Sequence, residues 1–468
     1  MTSEWVEQEM DGLSLGDKRL DKRTKRVLSD ITRNPDRPFT QQFETSKELK
    51  ACYRLLDSDL ATPEAILTPH RHNIIERARA HQVVVVASDS SSVNYTSRSL
   101  HPDTGYISSN NAQGFFIHTS LACTLDHLPL GVLGSKFWAR EKEKPKTKVH
   151  RDYLPIEEKE SFKWIESYRQ AQEFADSLPG TQVINVADKE ADILELWQEA
   201  LKNASSVNPA HLVVRCNHDR CVAPTTTNAH SKLREFVMAT PVLGTSQFEL
   251  RDRRTNAIKR VVTQDIRAAR VKIRPAKRSG VEPTEIVLNV VLLMESSPPE
   301  GEEPVVWHLL TTLPVKTMDD IQKVIKAYLA RWNIEVLFRT FKSGCKVEGR
   351  SPRTGKRMYV MFTLFLIVAW RINMLVHLAR VRPTLPCSAF FSEVEWRSAV
   401  AATTKSLAHS ASPPTIQEML LMVAQLGGYL NRRNDPPPGA TVVWRGLEYL
   451  RGFAEAYRLF TSFEEAQS

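Results

Sequence analysis

The feature that most restricts the fold is an uninterrupted run of four valines, residues 83–86, followed by the polar stretch ASDSSSVNY. A strand that is apolar without alternation is typical of one buried on both faces, as in α/β sheets. Two strand-like segments follow, GFFIHTSLACTL and PLGVLGSKFWA, with the turn DHLPL between them. A helical pattern, KESFKWIESYRQAQEFADSL, then a buried strand, QVINVAD, and another helix come next. This order predicts an α/β core with mixed strand pairing.

Helical regions are expected on both sides of this core. We place a helical unit at 1–65, a core at 66–365 interrupted by a β-rich block at about 205–318, and a helical region at 366–468. The block separates the fourth core strand from the helix near residue 327, so we interpret it as an insertion. The short basic helices of the first unit suggest a small DNA-binding domain; a surface-charged helical bundle is the commoner alternative.

The chain carries no sequence signal for membrane insertion or export. Its longest apolar run, residues 358–370, has 13 residues, too few to cross a bilayer, and predicts a buried core helix. The N-terminal stretch MTSEWVEQEMDG lacks the basic and apolar regions of a secretory signal. Six scattered cysteines form no CxxC pair and no zinc spacing, as expected for free thiols in a reducing cytosol. We therefore expect a cytoplasmic protein.

The positive charge of the chain is concentrated in one stretch. Residues 251–278 hold 11 Lys or Arg and 2 Asp, a net charge of 11 − 2 = +9, which equals the excess of the whole chain. A basic stretch of this size favours a polyanionic partner, and nucleic acid is the usual one. A solvated, flexible insertion explains the charge equally well.

Two carboxylates stand where buried strands are expected to end. Asp89 follows VVVVAS and Asp188 follows QVINVA. A carboxylate at the end of a core strand costs desolvation unless it is paired, and such strand ends are where α/β proteins build sites. Taken singly, each is better explained as a turn residue or a helix cap, and Asp188, before KEAD, is suited to capping.

A third carboxylate lies on the segment AYLARWNIEVLFRTFKSG, residues 327–344, which predicts one amphipathic helix. At about 100° per residue, Tyr328, Arg331, Glu335 and Lys342 fall within an arc of about 60°. The alternative is an ordinary helix with an Arg331–Glu335 ion pair worth ~0.3–0.5 kcal/mol. Three carboxylates suit Mg²⁺, which takes oxygen ligands, and two such ions can support phosphodiester chemistry. Neighbouring Arg and Lys side chains would hold phosphate.

The spacing Tyr-x2-Arg-x3-Glu-x6-Lys resembles the signature of bacterial insertion-sequence transposases related to the Tn5 transposase. ASDSSSVNY and INVADKEADI resemble the two segments that carry the family's catalytic Asp residues. Trp307 stands 28 residues before Glu335, as in that family. LGDKRLDKRTKR resembles the N-terminal DNA-binding segment, and LGGYLNRRND with VWRGL resembles the C-terminal helical region. The resemblance therefore covers nearly the whole chain.

The resemblance implies an RNase H-like mixed-sheet catalytic core of the DDE type with a β-rich insertion. It also implies that residues 1–65 form a helical DNA-binding domain and residues 366–468 a helical C-terminal dimerisation domain. Asp89, Asp188 and Glu335 would bind two Mg²⁺ ions per active site, with Mn²⁺ able to substitute. The residues that it implies in DNA binding are Tyr328, Arg331, Lys342, Trp307, Arg215, Lys189, Arg23 and Arg54. Arg331 would be released from Glu335 to hold phosphate, and Trp307 would help hold a flipped base.

The function implied is that of a cut-and-paste transposase acting on double-stranded DNA as a homodimer. It would nick the transposon end, form and open a hairpin, and join the end to target DNA. The alternative is a catalytically silent, DNA-binding inhibitor of transposition. A junction-resolving nuclease with the same core would explain neither Trp307 nor the terminal regions.

A few positions depart from the family pattern or stay open. Lys189 replaces an Arg, Asn217 and Asp219 replace Lys and Pro, and two Phe before His118 replace two Trp. These changes affect the expected end specificity rather than the chemistry. The basic stretch is expected to be a DNA-facing or disordered loop, and the role of Trp332 is open between core packing and DNA contact.

Overall fold

A computed structural model of the chain describes most of its length. The described residues are 3–33, 38–43, 45–96, 103–108, 112–141, 154–251, 258–274, 286–350, 354–406, 412–433 and 435–467.

A ten-stranded mixed sheet forms the centre of the molecule. Its strands are β1 Val83–Asn94, β2 Gly105–Tyr106, β3 Gln113–Thr124, β4 Pro129–Trp138, β5 Gln182–Ala187, β6 His211–Arg215, β7 Gly244–Arg251, β8 Ile258–Ile273, β9 Ile286–Glu295 and β10 Val306–Thr311. The strand order is β2-β3-β1-β5-β6-β10-β9-β8-β7, and β4 also pairs with β3. The pairs β1–β5 and β5–β6 are parallel, and the other pairs are antiparallel. The predicted α/β core with mixed pairing is confirmed.

Helices cover both faces of the sheet and form the two ends of the chain. Their bounds are α1 Glu4–Glu9, α2 Lys18–Arg33, α3 Ser46–Leu56, α4 Pro63–Ala78, α5 Phe162–Asp176, α6 Leu194–Lys202, α7 Leu233–Met238, α8 Met318–Ala330, α9 Trp332–Arg339, α10 Gly355–Val381, α11 Glu393–Thr404, α12 Ile416–Leu426 and α13 Ala440–Gln467. One apolar core, with α5, α6 and α7, lies on one face of the sheet. A second core joins the other face to α8–α10 and to the terminal helices.

The β-rich block is continuous with the core sheet. Its first strand, β6, pairs in parallel with β5, and β10, β9, β8 and β7 extend the same sheet outward. Residues from this block therefore share a sheet face with the residues of β1 and β5.

The basic stretch is not a loop over the part that the structure describes, so that expectation is wrong for residues 258–273. These residues form β8, which is hydrogen-bonded to β7 on one side and β9 on the other. Val262, Gln264 and Ile266 are buried, and most of the residues between them are half-exposed, because alternate side chains of a strand point to opposite faces. The flanking positions 252–257 and 275–278 lie outside the described residues.

The apolar run near residue 358 belongs to α10, which confirms the predicted core helix. By length and composition this helix could cross a membrane, but most of its apolar length is buried inside the protein. Because α10 begins at Gly355, the expected domain boundary at residue 365 falls inside a single helix rather than between elements.

In the C-terminal region, α12 and α13 cross at two glycines. A Cβ on Gly427 would lie 2.0 Å from the Val442 carbonyl oxygen, and a Cβ on Gly446 would lie 1.6 Å from the Val423 oxygen. Only glycine allows backbones to approach this closely.

Candidate active site

The two Asp residues are brought to the same edge of the sheet by parallel pairing. Ala87 of β1 lies opposite Val186 of β5, so both strands lead towards Asp89 and Asp188 in the same direction. Asp188 ends β5, and its carboxylate accepts the Glu190 N–H at 2.8 Å, so it also caps the short helix that follows.

Asp89 does not end its strand, contrary to the expectation from sequence. After the last residue paired with β5, β1 continues to Asn94 along β3, with Asp89 opposite Thr119. The strand therefore loses its parallel neighbour just before Asp89 but keeps its antiparallel one. The half-buried Asp89 carboxylate therefore lies just beyond the end of the parallel β1–β5 pairing.

The helix predicted over residues 327–344 is divided into three parts. Helix α8 ends at Ala330, Arg331 forms the junction with α9, and a π-helical turn, Thr340–Gly344, carries Lys342. The dihedral angles of Arg331 (φ −54°, ψ −31°) remain helical, so the chain direction changes little. Tyr328, Arg331 and Glu335 therefore remain on one side of the helix, as predicted. The π-helical turn changes the angular position of Lys342 relative to them.

Arg331 bridges two of the three carboxylates. Its Nη1 donates to Asp89 Oδ2 at 2.8 Å, and its Nη2 donates to Glu335 Oε1 at 2.5 Å. The expected release of Arg331 from Glu335 is therefore not observed: the i, i+4 ion pair is formed, because the guanidinium is the cation that compensates two half-buried carboxylates.

Asp188 and Glu335 lie close enough to Asp89 for their charges to affect its pKa. Burial raises the pKa of this carboxyl to about 6, and the negative charges of Asp188 and Glu335 add to the increase. The Arg331 charge and the Ser90 N–H, which donates to Asp89 at 2.7 Å, act in the opposite direction. Like-charged neighbours of this kind are typical of functional sites.

The residues suit a hard divalent cation by their chemistry. The three candidate ligands are all carboxylates, which supply the oxygen donors that Mg²⁺ prefers. Within the described part of the chain, no three His, Cys, Asp or Glu side chains already have the arrangement of a metal-binding group. Asp89 and Glu335 are instead joined through the Arg331 guanidinium, which donates to both.

Tyr328 and Arg215 complete the inner part of the site. Arg215 lies opposite Leu309 of β10 and ends the strand that pairs with β5. Tyr328 is buried, which raises its pKa, and its hydroxyl is influenced by the charges of Arg331, Arg215 and Asp188. Tyr328 is therefore within electrostatic range of both Arg215 and the Asp188 carboxylate.

Trp307 extends the site along the sheet. Its ring packs edge-on against Tyr328, with centroids 5.5 Å apart, and stacks with Phe248 of β7 at 6.4 Å. The sequence analysis did not identify Phe248. Sequence patterns alone give no strand register for the β-rich block that holds both Phe248 and Trp307, so they do not bring these two side chains together.

The other predicted DNA contacts are placed in different surroundings. Lys342 is half-buried, which lowers its pKa, and the charge it faces is that of Glu348. Lys189 is exposed directly after Asp188. Arg23 lies half-buried on α2 and Arg54 is exposed on α3, so both belong to the N-terminal helices.

Trp332 is a surface residue. It is 59% exposed, which excludes the core-packing alternative.

Lys163 is a further residue near the site that sequence reasoning did not identify. It lies on α5 and is only 8% exposed, with its ammonium 5.4 Å from the Trp138 ring and 5.6 Å from the Trp164 ring. Its pKa is lowered by burial, while the charge of Asp89 is among those that oppose the shift. A buried Lys requires such partners, but sequence periodicity alone does not reveal them.

Two family models match the ends of the chain. The model described as transposase DNA-binding matches residues 2–61, which include α1–α3 and the predicted contacts Arg23 and Arg54. The model described as the transposase Tn5 dimerisation domain matches residues 367–467, which include most of α10 and α11–α13. The predicted helical DNA-binding and dimerisation regions therefore both have a matching family.

Proposed function

Because these two matches support a Tn5-like transposase, we propose that the chain is an active cut-and-paste transposase with an RNase H-like catalytic core. The family suggests an enzyme that cleaves and transfers DNA, with a DNA-binding and a dimerisation domain. The proposal adds that the site at Asp89, Asp188 and Glu335 carries out nicking, hairpin formation and opening, and strand transfer, in a homodimer on paired transposon ends in the bacterial cytoplasm, associated with the nucleoid.

The observation that carries the proposal is the convergence of three carboxylates from distant parts of the chain. Asp89 lies on β1, Asp188 directly follows β5 and Glu335 lies on α9, and the charges of Asp188 and Glu335 both raise the pKa of Asp89. A structural ion pair would require only one of them beside Arg331. The extra negative charge costs stability and is explained if the site binds cations.

In this proposal Asp89, Asp188 and Glu335 hold two Mg²⁺ ions, or Mn²⁺ in their place. When bound, the ions would lower the pKa of an attacking water and stabilise charge on the phosphodiester oxygens.

Arg331 would exchange its carboxylate partners for a DNA phosphate, since a guanidinium binds phosphate and carboxylate in the same two-pronged geometry. This exchange would release Asp89 and Glu335 as DNA arrives. Arg215 and Lys342 would hold further phosphates, with Tyr328 donating from its hydroxyl. Trp307 would stack on a displaced base, as aromatic side chains do for unpaired nucleotides. Lys189, Arg23 and Arg54 are proposed as outer DNA contacts.

A catalytically silent inhibitor of transposition is the second candidate. The terminal domains alone are compatible with it, because they account for DNA binding and dimerisation only. The argument against it is the intact set of three carboxylates, since a protein without catalysis has no need to keep charges that repel one another.

The test is end cleavage by purified protein with its cognate DNA ends. Glu335→Gln and Asp188→Asn are expected to abolish Mg²⁺-dependent cleavage and to keep end binding in a gel-shift assay. Glu303→Gln, which changes an exposed acid in the loop before β10, is the matched control and should cleave normally. Cleavage by either site variant at the wild-type rate would refute the assignment, and a wild-type protein that binds but does not cut would favour the inhibitor.

A further inference from the structure

A buried carboxylate four residues after Asp188 connects the two strand ends that carry the site. Asp192 follows the short helix Lys189–Ala191 and is only 1% exposed. Its Oδ2 accepts the backbone N–H groups of Asn217 at 2.9 Å and His218 at 3.1 Å. These two residues belong to the turn that follows β6 and Arg215.

Arg220, which follows the same turn, also binds Asp192. Its Nε and Nη2 donate to Asp192 Oδ1 at 3.1 and 2.5 Å, and Nη2 also donates to the Asp192 carbonyl oxygen at 2.7 Å. Arg220 therefore holds Oδ1 while the two backbone N–H groups hold Oδ2, so both oxygens of the carboxylate are fixed. Trp197 of α6 donates to Oδ1 at 3.2 Å and anchors the carboxylate to the helical layer.

The hydrogen bonds of Asp192 join the chain segment that follows Asp188 to the segment that follows Arg215. Strands β5 and β6 are parallel neighbours, with Ala187 opposite Val214, so Asp188 and Arg215 leave the sheet side by side. Beyond this point the ladder between the two strands has ended. The Asp192 carboxylate supplies the hydrogen bonds that hold the two departing chains together.

We propose that Asp192, fixed by Arg220, is a positioning residue that sets the separation of Asp188 and Arg215 in the active site. The inference rests on the proposed function, because it assigns a role in DNA cleavage. It adds a residue outside the carboxylate triad that acts through the placement of others. Residues that orient ligands in this way usually contribute about ten- to a hundredfold to activity.

Asp192→Asn is the primary variant. The amide keeps the size of the side chain but replaces one acceptor oxygen with a donor, so it cannot receive all the N–H groups of Asn217, His218 and Arg220. Single-turnover cleavage of end DNA should fall at least about tenfold per bound complex, while the Kd for the end changes less than about threefold.

Trp197→Phe is the matched control. It removes a hydrogen bond from the same carboxylate but leaves the connection to the turn after Arg215 intact. It should lower the thermal midpoint and leave the cleavage rate per bound complex unchanged. A merely structural role for Asp192 predicts instead that both variants change stability and neither changes that rate.

A charged residue left unpaired by Asp192→Asn can prevent folding. In that event the double variant Asp192→Asn with Arg220→Gln, which neutralises both partners, is measured against the same thresholds. Wild-type cleavage by the folded variant overturns the inference and leaves the proposed function in place. If the wild-type protein binds ends without cutting them, the proposed function fails, and the inference fails with it.

Discussion

Asp89→Asn is expected to stabilise the protein while it abolishes cleavage. Burial, with the charges of Asp188 and Glu335, raises the pKa of Asp89 from 3.8 to about 6. At neutral pH the folded protein must therefore keep an ionised group in a place that favours its neutral form. Asparagine resembles the protonated carboxyl in shape and carries no charge, so it removes this cost.

The magnitude follows from the difference between the two pKa values. About two pH units, at 1.36 kcal/mol per unit, correspond to ~3 kcal/mol. In the unfolded chain Asp89 ionises near pH 3.8, and in the folded chain near pH 6, so wild-type stability falls as pH rises between these values. The advantage of the variant should be close to zero below pH 3.8, grow between pH 4 and 6, and stay at its maximum above pH 6.

The assay is chemical denaturation of the wild type and Asp89→Asn at a series of pH values without divalent ions. Because the chain has several structural regions, the transition is followed both by circular dichroism and by Trp fluorescence. Mg²⁺ should then stabilise the wild type more than the variant, since a ligand stabilises the state that binds it. A variant that is less stable than the wild type at pH 7 would refute the reasoning, because it would mean that the ion pair with Arg331 outweighs burial and repulsion.

Three further changes probe other parts of the chain. Burial raises the pKa of Glu9, but the contacts with His70 and Arg77 outweigh burial and lower this pKa to about 2. Glu9→Gln should therefore destabilise the protein at pH 7 by at most ~3 kcal/mol, and denaturation curves should show the loss above pH 4.5 but not near pH 2. Gly446→Ala should disrupt the α12–α13 crossing and weaken dimer formation in analytical ultracentrifugation, whereas Gly452→Ala, with open space around it, should not. Removing the charge of the exposed Arg270 on β8 should reduce the salt dependence of DNA binding by about one unit of slope, and an unchanged slope would mean that this strand does not contact DNA.

The core of the fold could be predicted because its signals are local. The valine run at 83–86 and the segments after it contain the order of strands and helices, and the structure confirms that order. The path of β8 was missed because a high density of Lys and Arg was taken as evidence for a loop. Its alternation of Val262, Gln264 and Ile266 with more exposed residues was the better evidence, since a strand with one solvated face tolerates charge on that face.

The residues of the candidate site could be predicted from the sequence, but the contacts between their side chains could not. Strand ends and helical spacing made Asp89, Asp188 and Glu335 candidates, and the family resemblance joined them into one set. The structure places them within one electrostatic environment. The bridge made by Arg331 depends on the distance between β1 and α9, which are more than 200 residues apart in sequence. No periodicity encodes such a distance. For the same reason, the contact of Asp192 with the turn after β6 could not be inferred from the sequence around Asp192.

Asp89 and Asp192 are two acids of the proposed site whose pKa values are shifted in opposite directions. Asp192 is buried and Asp89 is half-buried, and burial acts to raise the pKa of each. For Asp192, the charge and hydrogen bonds of Arg220 and the N–H groups of Asn217 and His218 keep the pKa below its usual value. Asp89 receives one backbone N–H and one guanidinium, and two other carboxylates face it, so its pKa is raised. The number of hydrogen-bond donors therefore distinguishes the two acids. Asp192 has enough donors to stabilise its charge, whereas Asp89 does not. Only the second kind gains from an incoming cation, and this is the physical reason to place the chemistry at Asp89 and the positioning role at Asp192.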